Sequence, residues 1–186
     1  WTGKESLELD PDFTKGLKNL SEISASKENA MKKYEADKLQ WQKNVDSKDA
    51  GMKNGKAVWA APGFNDENWM TMKVPGLFSQ NGLEKFDGLV WFRHTVDIPS
   101  SMTGKALTLR LGSVDDIDVT YFNGVRIGQT EGWAKERVYQ IPARLVKAGR
   151  NVIAVRNLDT GGDGGLYGKT EQFRLTAEGQ KGAEKG

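Results

Sequence analysis

The stretch Asp115–Gly128, DDIDVTYFNGVRIG, carries the strongest structural signal in this chain of 186 residues. Two runs of alternating polar and apolar residues, IDVTYF and VRIG, flank the pair Asn123-Gly124. Both central positions of a tight two-residue hairpin turn need a positive φ, which Asn and Gly adopt more readily than other residues. The stretch therefore predicts two antiparallel strands joined by a tight turn.

Period-two alternation continues on both sides of this hairpin. VWFRHTVDI (90–98) alternates along its whole length, and ALTLRL (106–111) places three leucines on one face. The runs RVYQI, NVIAVRNL and QFRLT follow, separated by the turn signals Pro142, KAGR and DTGGDGG. Short strands with turns between them and no intervening helices predict a mainly β fold, an antiparallel β-sandwich.

The first 57 residues have a different pattern. DPDF (10–13) predicts a helix start, with the proline in the first turn and an aspartate as the cap. Phe13, Leu17 and Leu20 then share one helical face, and a second apolar run extends from Ala30 to Trp41. Ser24 and Ser26 between the runs suggest a break or a cap, so we predict two helices, arranged as a linker or a helical hairpin. The predicted organisation is a helical segment at 1–57, a sandwich at 58–176 and a polar tail at 177–186.

Composition excludes several classes of function. The chain has no cysteine, which excludes disulfides, thiolate nucleophiles and cysteine-bound zinc. Residues 1–57 carry 11 Lys/Arg against 10 Asp/Glu and the remainder 16 against 15, so neither part has the cationic surplus typical of a nucleic-acid partner. The apolar runs are too short for a membrane span. We therefore expect neither a nucleic-acid nor a membrane partner.

Four segments together resemble a known family of domains. They are FNDENWMTMKVPG (64–76), FDGLVWFRHTVDIP (86–99), DVTYFNGVRIGQTEGW (118–133) and LVKAGRNVIAVR (145–156). Their order resembles the sugar-binding-type β-sandwich of glycoside hydrolase family 2 enzymes. The resemblance implies a galactose-binding-like jelly roll, here preceded by the α-helical segment.

The match is closer to the version of this domain inserted into bacterial sialate O-acetylesterases, in which DDID, the NG hairpin, GW, RVYQIP and DTGGDGGLYG occur in the same order. This resemblance implies a parent carbohydrate esterase that removes O-acetyl groups from sialic acid or related sugars. It also implies an SGNH-type catalytic domain in the same polypeptide, and a periplasmic or secreted location. The serine and histidine blocks of those esterases are missing from this chain, so we expect the fragment itself to be catalytically inert, an accessory or scaffolding domain.

The aspartates of the opening stretch have three interpretations. Asp116 and Asp118 share one strand face if the strand begins there, and paired carboxylates serve glycosidases as acid and base. They can instead contact a sugar or the parent domain, or they can be structural, accepting backbone N–H groups or pairing with arginines. The lone histidine, His94, lies inside a strand pattern and has no nucleophile beside it in the sequence. We expect structural roles for the aspartates of this stretch and for His94, and no catalytic residue in this chain.

A sugar-binding site needs an exposed aromatic face and a few fixed polar groups. Trp133 follows a glycine in a polar loop, whereas Trp59, Trp69 and Trp91 lie in or beside strand-like segments that suggest packing. With Asp116, Asp118, Arg137 and Tyr167, Trp133 forms the candidate site for carbohydrate binding or for contact with the catalytic domain. The alternative function is thus an autonomous carbohydrate-binding module that recognises galactosides or sialosides.

We predict no cofactor for this chain. The loop from Asp159 to Asp163 offers hard oxygen ligands, and galactose-binding-like sandwiches often carry a structural calcium ion. The spacing does not fit an EF-hand, however, and the glycines of the loop are explained by tight backbone turns. Calcium is therefore the weaker alternative at this loop.

Overall fold

A computed structural model describes residues 11–177 of the chain. The protein divides into two compact units after Lys48, and each unit is described by itself. The sequence placed the change of pattern near residue 57, whereas the second unit begins at Asp49. Residues 1–10 of the predicted helical segment, with the candidate cap Asp10, lie outside the described residues, as does the predicted polar tail beyond Ala177.

The first unit contains one continuous helix, α1 (Pro11–Ser47), so the prediction of two helices is wrong. Ser24 and Ser26, which suggested a break, lie inside this helix. A serine hydroxyl can bond to a carbonyl one turn back, as the nearby Ser21 does by donating to the Lys18 carbonyl at 2.7 Å. An ion pair between Glu28 and Lys32 at 2.7 Å adds an i,i+4 contact.

The second unit is built from short strands joined by tight turns and single turns of 3₁₀ helix. Its strands are β1 (Met52–Lys53), β2 (Lys56–Ala57), β3 (Gly76–Leu77), β4 (Gly88–Ile98), β5 (Leu107–Asp115), β6 (Ile117–Phe122), β7 (Val125–Glu131), β8 (Glu136–Ile141), β9 (Gly149–Asp159), β10 (Gly165–Tyr167) and β11 (Phe173–Ala177). No helix between residues 11 and 177 combines the length and apolar character that a membrane crossing requires.

Two antiparallel sheets enclose the core. The four-stranded sheet has the order β4-β9-β6-β7, and the five-stranded sheet has β11-β5-β10-β3, with β8 also paired to β5. Strands β11 and β10 pair with successive parts of β5, while β8 pairs with the same stretch as β11 and so lies on the opposite edge. The predicted antiparallel sandwich is confirmed, and its jelly-roll connectivity stays a prediction.

The predicted hairpin is confirmed at Asn123-Gly124, which have φ values of 49° and 81°. The asparagine also fastens the turn to the rest of the sheet. Its amide nitrogen donates to Asn151 Oδ1 at 2.7 Å, and its oxygen accepts the Val152 N–H at 2.9 Å. The turn residue therefore supplies both the local conformation and a contact with β9.

The core lies between the inward faces of the two sheets. Its buried apolar residues include Leu107, Leu109, Phe122, Ile141 and Val155. Tyr139 crosses from β8 towards the four-stranded sheet, where a Cβ atom on Gly128 would lie 2.1 Å from its ring. Only glycine at position 128 leaves room for this aromatic side chain.

A second cluster covers the outer face of the four-stranded sheet. Trp59, Trp69, Trp91 and Tyr121 pack there, with the Trp59 and Trp91 rings 6.1 Å apart. Asp49 lies beneath them, accepting from Trp91 Nε1 at 2.9 Å and from the Arg156 guanidinium at 2.7 Å. These contacts explain why the sandwich unit begins at Asp49.

Candidate functional site

The structure brings the five candidate residues to one end of the sandwich, but it gives them different roles. Asp118 and Arg137 form a fully buried ion pair, with both side chains 0% exposed and Nε 2.8 Å from Oδ1. Arg137 is placed by β8 and Asp118 by β6, so the pair joins the two sheets. Because neither side chain reaches solvent, the pair is available only to other groups of the fold.

Asp118 has no unused oxygen. Thr120 donates its hydroxyl to Oδ2 at 2.7 Å, and the Tyr139 hydroxyl lies 2.9 and 2.8 Å from the two carboxylate oxygens. Burial, together with the charge of Asp118, raises the pKa of the Tyr139 phenol above its ordinary value. The carboxylate is therefore a buried anchor, which agrees with the structural interpretation of this residue.

Arg137 fixes the loop that follows β7. Its guanidinium donates to the carbonyls of Gly132 at 2.7 Å and Asp116 at 3.0 Å, and also to the carbonyl of Lys135. These bonds use three of the four remaining N–H groups of a side chain that is fully buried. Arg137 thus positions the loop that carries Trp133, and it cannot reach a ligand at the surface.

Asp115 and Asp116 form a pair of neighbouring carboxyl groups on the other side of this network. Asp116 Oδ2 accepts from the Thr160 N–H at 3.0 Å and from its hydroxyl at 2.6 Å. Burial, then the hydrogen bond and negative charge of Asp116, raise the pKa of Asp115 to about 7. Asp115 therefore keeps its proton to a higher pH than an ordinary aspartate does.

Asp159 adds a third carboxyl group near this pair. Burial raises its pKa, and the Gly161 N–H, which donates to Oδ1 at 3.0 Å, opposes that shift. The sequence singled out Asp159 only as an oxygen of the glycine-rich loop. Asp159 lies near Asp115 because β9 and β5, which belong to different sheets, finish at the same end of the sandwich. Strand patterns alone do not show this.

Trp133 and Tyr167 form an aromatic pair beside these acids. Trp133 is 62% exposed, and the Tyr167 hydroxyl donates to its backbone carbonyl. Burial, together with the charge of Asp115, raises the pKa of Tyr167. The arrangement leaves the indole of Trp133 free to stack on a ligand while its backbone is held by Tyr167 and by the neighbouring Arg137 contacts.

His94 lies away from this end of the sandwich. It is exposed on β4, and it lines a cleft of about 650 Å³ between the sheets together with Phe92, Val96 and Val155. Within residues 11–177, neither ring nitrogen has a hydrogen-bond or ion-pair partner. No base–nucleophile pair involving His94 exists in this part of the chain, since a nucleophile must lie within hydrogen-bond reach of its base.

The two carboxylates of the predicted calcium loop serve protein donors. Asp163 accepts from the Ser79 N–H at 2.9 Å and from its hydroxyl, while Asp159 accepts from Gly161. Among the described residues, no group of three or more His, Asp or Glu side chains has the arrangement of a metal site. The two loop carboxylates therefore have separate partners, while the buried Asp159 Oδ2 has none among the described residues. The absence of a cofactor stays a prediction, with calcium at this loop as the weaker alternative.

Sequence reasoning missed a second polar site, which is centred on Arg93. Its guanidinium pairs with Asp66 at 2.8 Å and donates to the carbonyl of Ala61 at 3.2 Å. The pairing lowers the pKa of the Asp66 carboxyl. The alternation along β4 places the Arg93 side chain on the outer face of the sheet, and that position is the sequence signal that could have revealed this site. These contacts hold residues 61–66 against the outer face of the four-stranded sheet, so the role of Arg93 is structural.

The fold and these contacts define an antiparallel β-sandwich whose polar end is organised by a buried ion pair. No protein-family model matches the chain. The β-glucuronidase of Formosa agariphila is 28% identical over 115 residues, a match covering 54% of this chain and 12% of that protein.

Solved structures show the same likeness. A β-glucuronidase of Bacteroides uniformis superposes with a TM-score of 0.53 and 22% identity, covering 68% of this chain and 16% of that one. A calcium-binding mutant of B. uniformis β-glucuronidase 2 gives a TM-score of 0.55 with the same identity and coverage. These similarities establish a sandwich like a domain of β-glucuronidases. The chain spans only 12% to 16% of the length of these proteins.

Proposed function

We propose that this chain is a non-catalytic accessory β domain of a larger carbohydrate-active enzyme of the glycoside hydrolase family 2 type. The observation that carries the proposal is the use of Asp118, the best placed of the strand carboxylates, as a buried anchor with both oxygens bonded. A glycosidase needs two carboxyl groups on opposite sides of a sugar, one of them free to ionise towards it. Asp118 is removed from that role by the fold.

The likeness to β-glucuronidases supports a parent enzyme that acts on sugars. Because the matched portion is a small part of those proteins, we propose that the catalytic groups lie in another domain of the same polypeptide. The inserted-domain motifs, DDID and DTGGDGGLYG above all, are the support for a sialate O-acetylesterase parent with an SGNH-type catalytic domain. The relatives found here lend that narrower parent no support, so a glycosidase is the parent that we favour. A location outside the cytoplasm is part of the same proposal.

The test compares this chain with a longer polypeptide that contains it. We expect the chain alone to hydrolyse neither p-nitrophenyl β-D-glucuronide nor p-nitrophenyl acetate above the rate in buffer. We expect the longer polypeptide to hydrolyse one of them, and which one it hydrolyses distinguishes the glycosidase from the esterase. Turnover by the chain alone that disappears in Asp115→Asn or His94→Ala would contradict the proposal.

A second candidate function is carbohydrate binding by the domain itself, and the exposure of Trp133 favours it. A ring held at the surface by its backbone loses little freedom when a sugar stacks on it, which is the usual design of an aromatic platform. Titration calorimetry of the chain with sugars tests this candidate. No heat at millimolar concentrations of both neutral and acidic oligosaccharides would reject it.

A further inference from the structure

The outer faces of the two sheets differ. The four-stranded sheet is covered by the tryptophan cluster, whereas the five-stranded sheet exposes side chains from its central strands. Val138 on the edge strand β8 is 41% exposed on that second face. This face is therefore open to solvent and to a ligand.

Two arginines lie side by side on this face. Arg110 on β5 and Arg174 on β11 are direct partners in the strand register. Their neighbours Leu109 and Leu111 face the core, so alternation turns both arginines outward. Across the described range 11–177, no carboxylate lies within ion-pair distance of either guanidinium.

Like charges directly opposite each other on adjacent strands are destabilising unless an anion lies between them. Arginine presents a planar fork of N–H donors that matches a carboxylate, and two adjacent forks can hold the same group from both sides. The register therefore creates a position that favours an external anion. Two acidic side chains of the same sheet, Asp115 on β5 and Glu136 on β8, lie outside ion-pair distance of both guanidinium groups, and Glu136 accepts instead from Gln172 Nε2.

The aromatic pair lies on the same face. Tyr167 is the register partner of Ser113 on β5, and Leu166 before it is buried in the core, so Tyr167 turns outward. Its hydroxyl donates to the backbone carbonyl of Trp133, which brings this 62% exposed tryptophan to the same end of the sheet. A register shift between Arg110 and Ser113 allows both to face outward although they are three residues apart, so the aromatic pair lies within about 10 Å of the arginine pair along the sheet.

We propose that the outer face of the five-stranded sheet binds a uronate-containing oligosaccharide. One uronate carboxylate lies on Arg110 and Arg174, and another ring of the same oligosaccharide stacks on Trp133 and Tyr167. The proposal rests on the proposed function, since it assigns a ligand to the same accessory domain.

The test is titration calorimetry of the full chain with trigalacturonate and with trimannuronate. The methyl ester of each trisaccharide is the matched ligand, because it keeps the rings and removes the charge. We expect at least one acidic trisaccharide to bind and its ester to bind at least about tenfold more weakly, as loss of a charged hydrogen bond predicts. Raising the salt concentration should weaken only the acidic ligand.

Variants locate the site on this face. Arg110→Gln and Arg174→Gln should each weaken binding of the acidic trisaccharide about tenfold or more. Trp133→Ala should weaken the acid and the ester alike, by several-fold. Arg150→Gln, an exposed arginine on β9 of the other sheet, is the control and should leave binding unchanged.

Three outcomes would overturn the proposal. One is the absence of binding by both acids at millimolar concentration, another is equal binding of acid and ester, and the third is binding that survives both arginine substitutions. A sulfated oligosaccharide that binds where the uronates do not would also reject it. An inert chain within an active longer polypeptide would still support the accessory role, so failure of this inference and failure of the proposed function are separate results.

Discussion

Removal of Arg137 should destabilise the sandwich more than any surface change. Replacing it with leucine leaves the Asp118 carboxylate buried without its cation, and it strands the carbonyls of Gly132 and Asp116 without their donor. Breaking a buried ion pair from one side costs about 3–5 kcal/mol. Because small domains have a free energy of unfolding of only about 5–15 kcal/mol, the variant should lose a large share of its stability.

The assay is urea unfolding followed by tryptophan fluorescence, since Trp59, Trp69 and Trp91 all lie in the sandwich unit. With a typical slope of about 2 kcal/mol per molar urea, a loss of about 4 kcal/mol lowers the midpoint by about 2 M. Arg150→Leu, an exposed arginine on β9, is the control and should stay within about 0.5 kcal/mol of the parent chain.

The double variant Asp118→Leu with Arg137→Leu separates the pair from its surroundings. Removing both charges leaves no buried unpaired carboxylate, so the double variant should cost at least about 2 kcal/mol less than the sum of the single variants. A loss of under about 1 kcal/mol for Arg137→Leu would refute the reasoning, as would strictly additive single costs.

Three further predictions concern the rest of the sandwich. Because the pKa of Asp115 is raised from 3.8 to about 7, the folded state favours the protonated carboxyl, and stability falls as the pH rises through that window. Asp115→Asn should flatten this fall in melting temperature. An unchanged pH profile would contradict the prediction. Gly128→Ala should cost about 1–3 kcal/mol by forcing a methyl group into the Tyr139 ring, whereas Gly63→Ala, with nothing within 4 Å, should be tolerated; equal urea midpoints for the two variants would show that the ring moves freely. Calcium or a chelator should leave the melting temperature unchanged, since the carboxylates at both ends of the loop Asp159–Asp163 already accept protein hydrogen bonds; a rise with calcium would restore the metal site.

Strand alternation and turn chemistry predicted most of the sandwich, and local physics explains why. The side chains of a half-buried strand must alternate, and Asn123-Gly124 suits the positive φ of a tight turn, so both features are written in neighbouring residues. The helix was harder, because a serine inside a helix and a serine at a break have the same local pattern. Only the folded chain shows that the helix continues through Ser24 and Ser26.

The candidate site was predicted as a set of residues but not as an arrangement. Trp133 and Tyr167 are adjacent, as a shared site requires, yet Arg137 and Asp118 are sealed inside and serve the fold. Sequence patterns report which face of a strand a residue occupies. They do not report whether another sheet covers that face.

The amino-acid sequence by itself determined the antiparallel strands, their turns and the absence of thiol chemistry, because alternation and turn propensity depend on residues a few positions apart. Tertiary structure alone decided that Arg137 closes on Asp118 and that Arg110 lies opposite Arg174. Those pairings join residues that are far apart in the chain, and they follow from strand register and sheet packing. A pair of charges acquires its chemical meaning only once the surrounding dielectric and the partner are set, and the folded protein sets both.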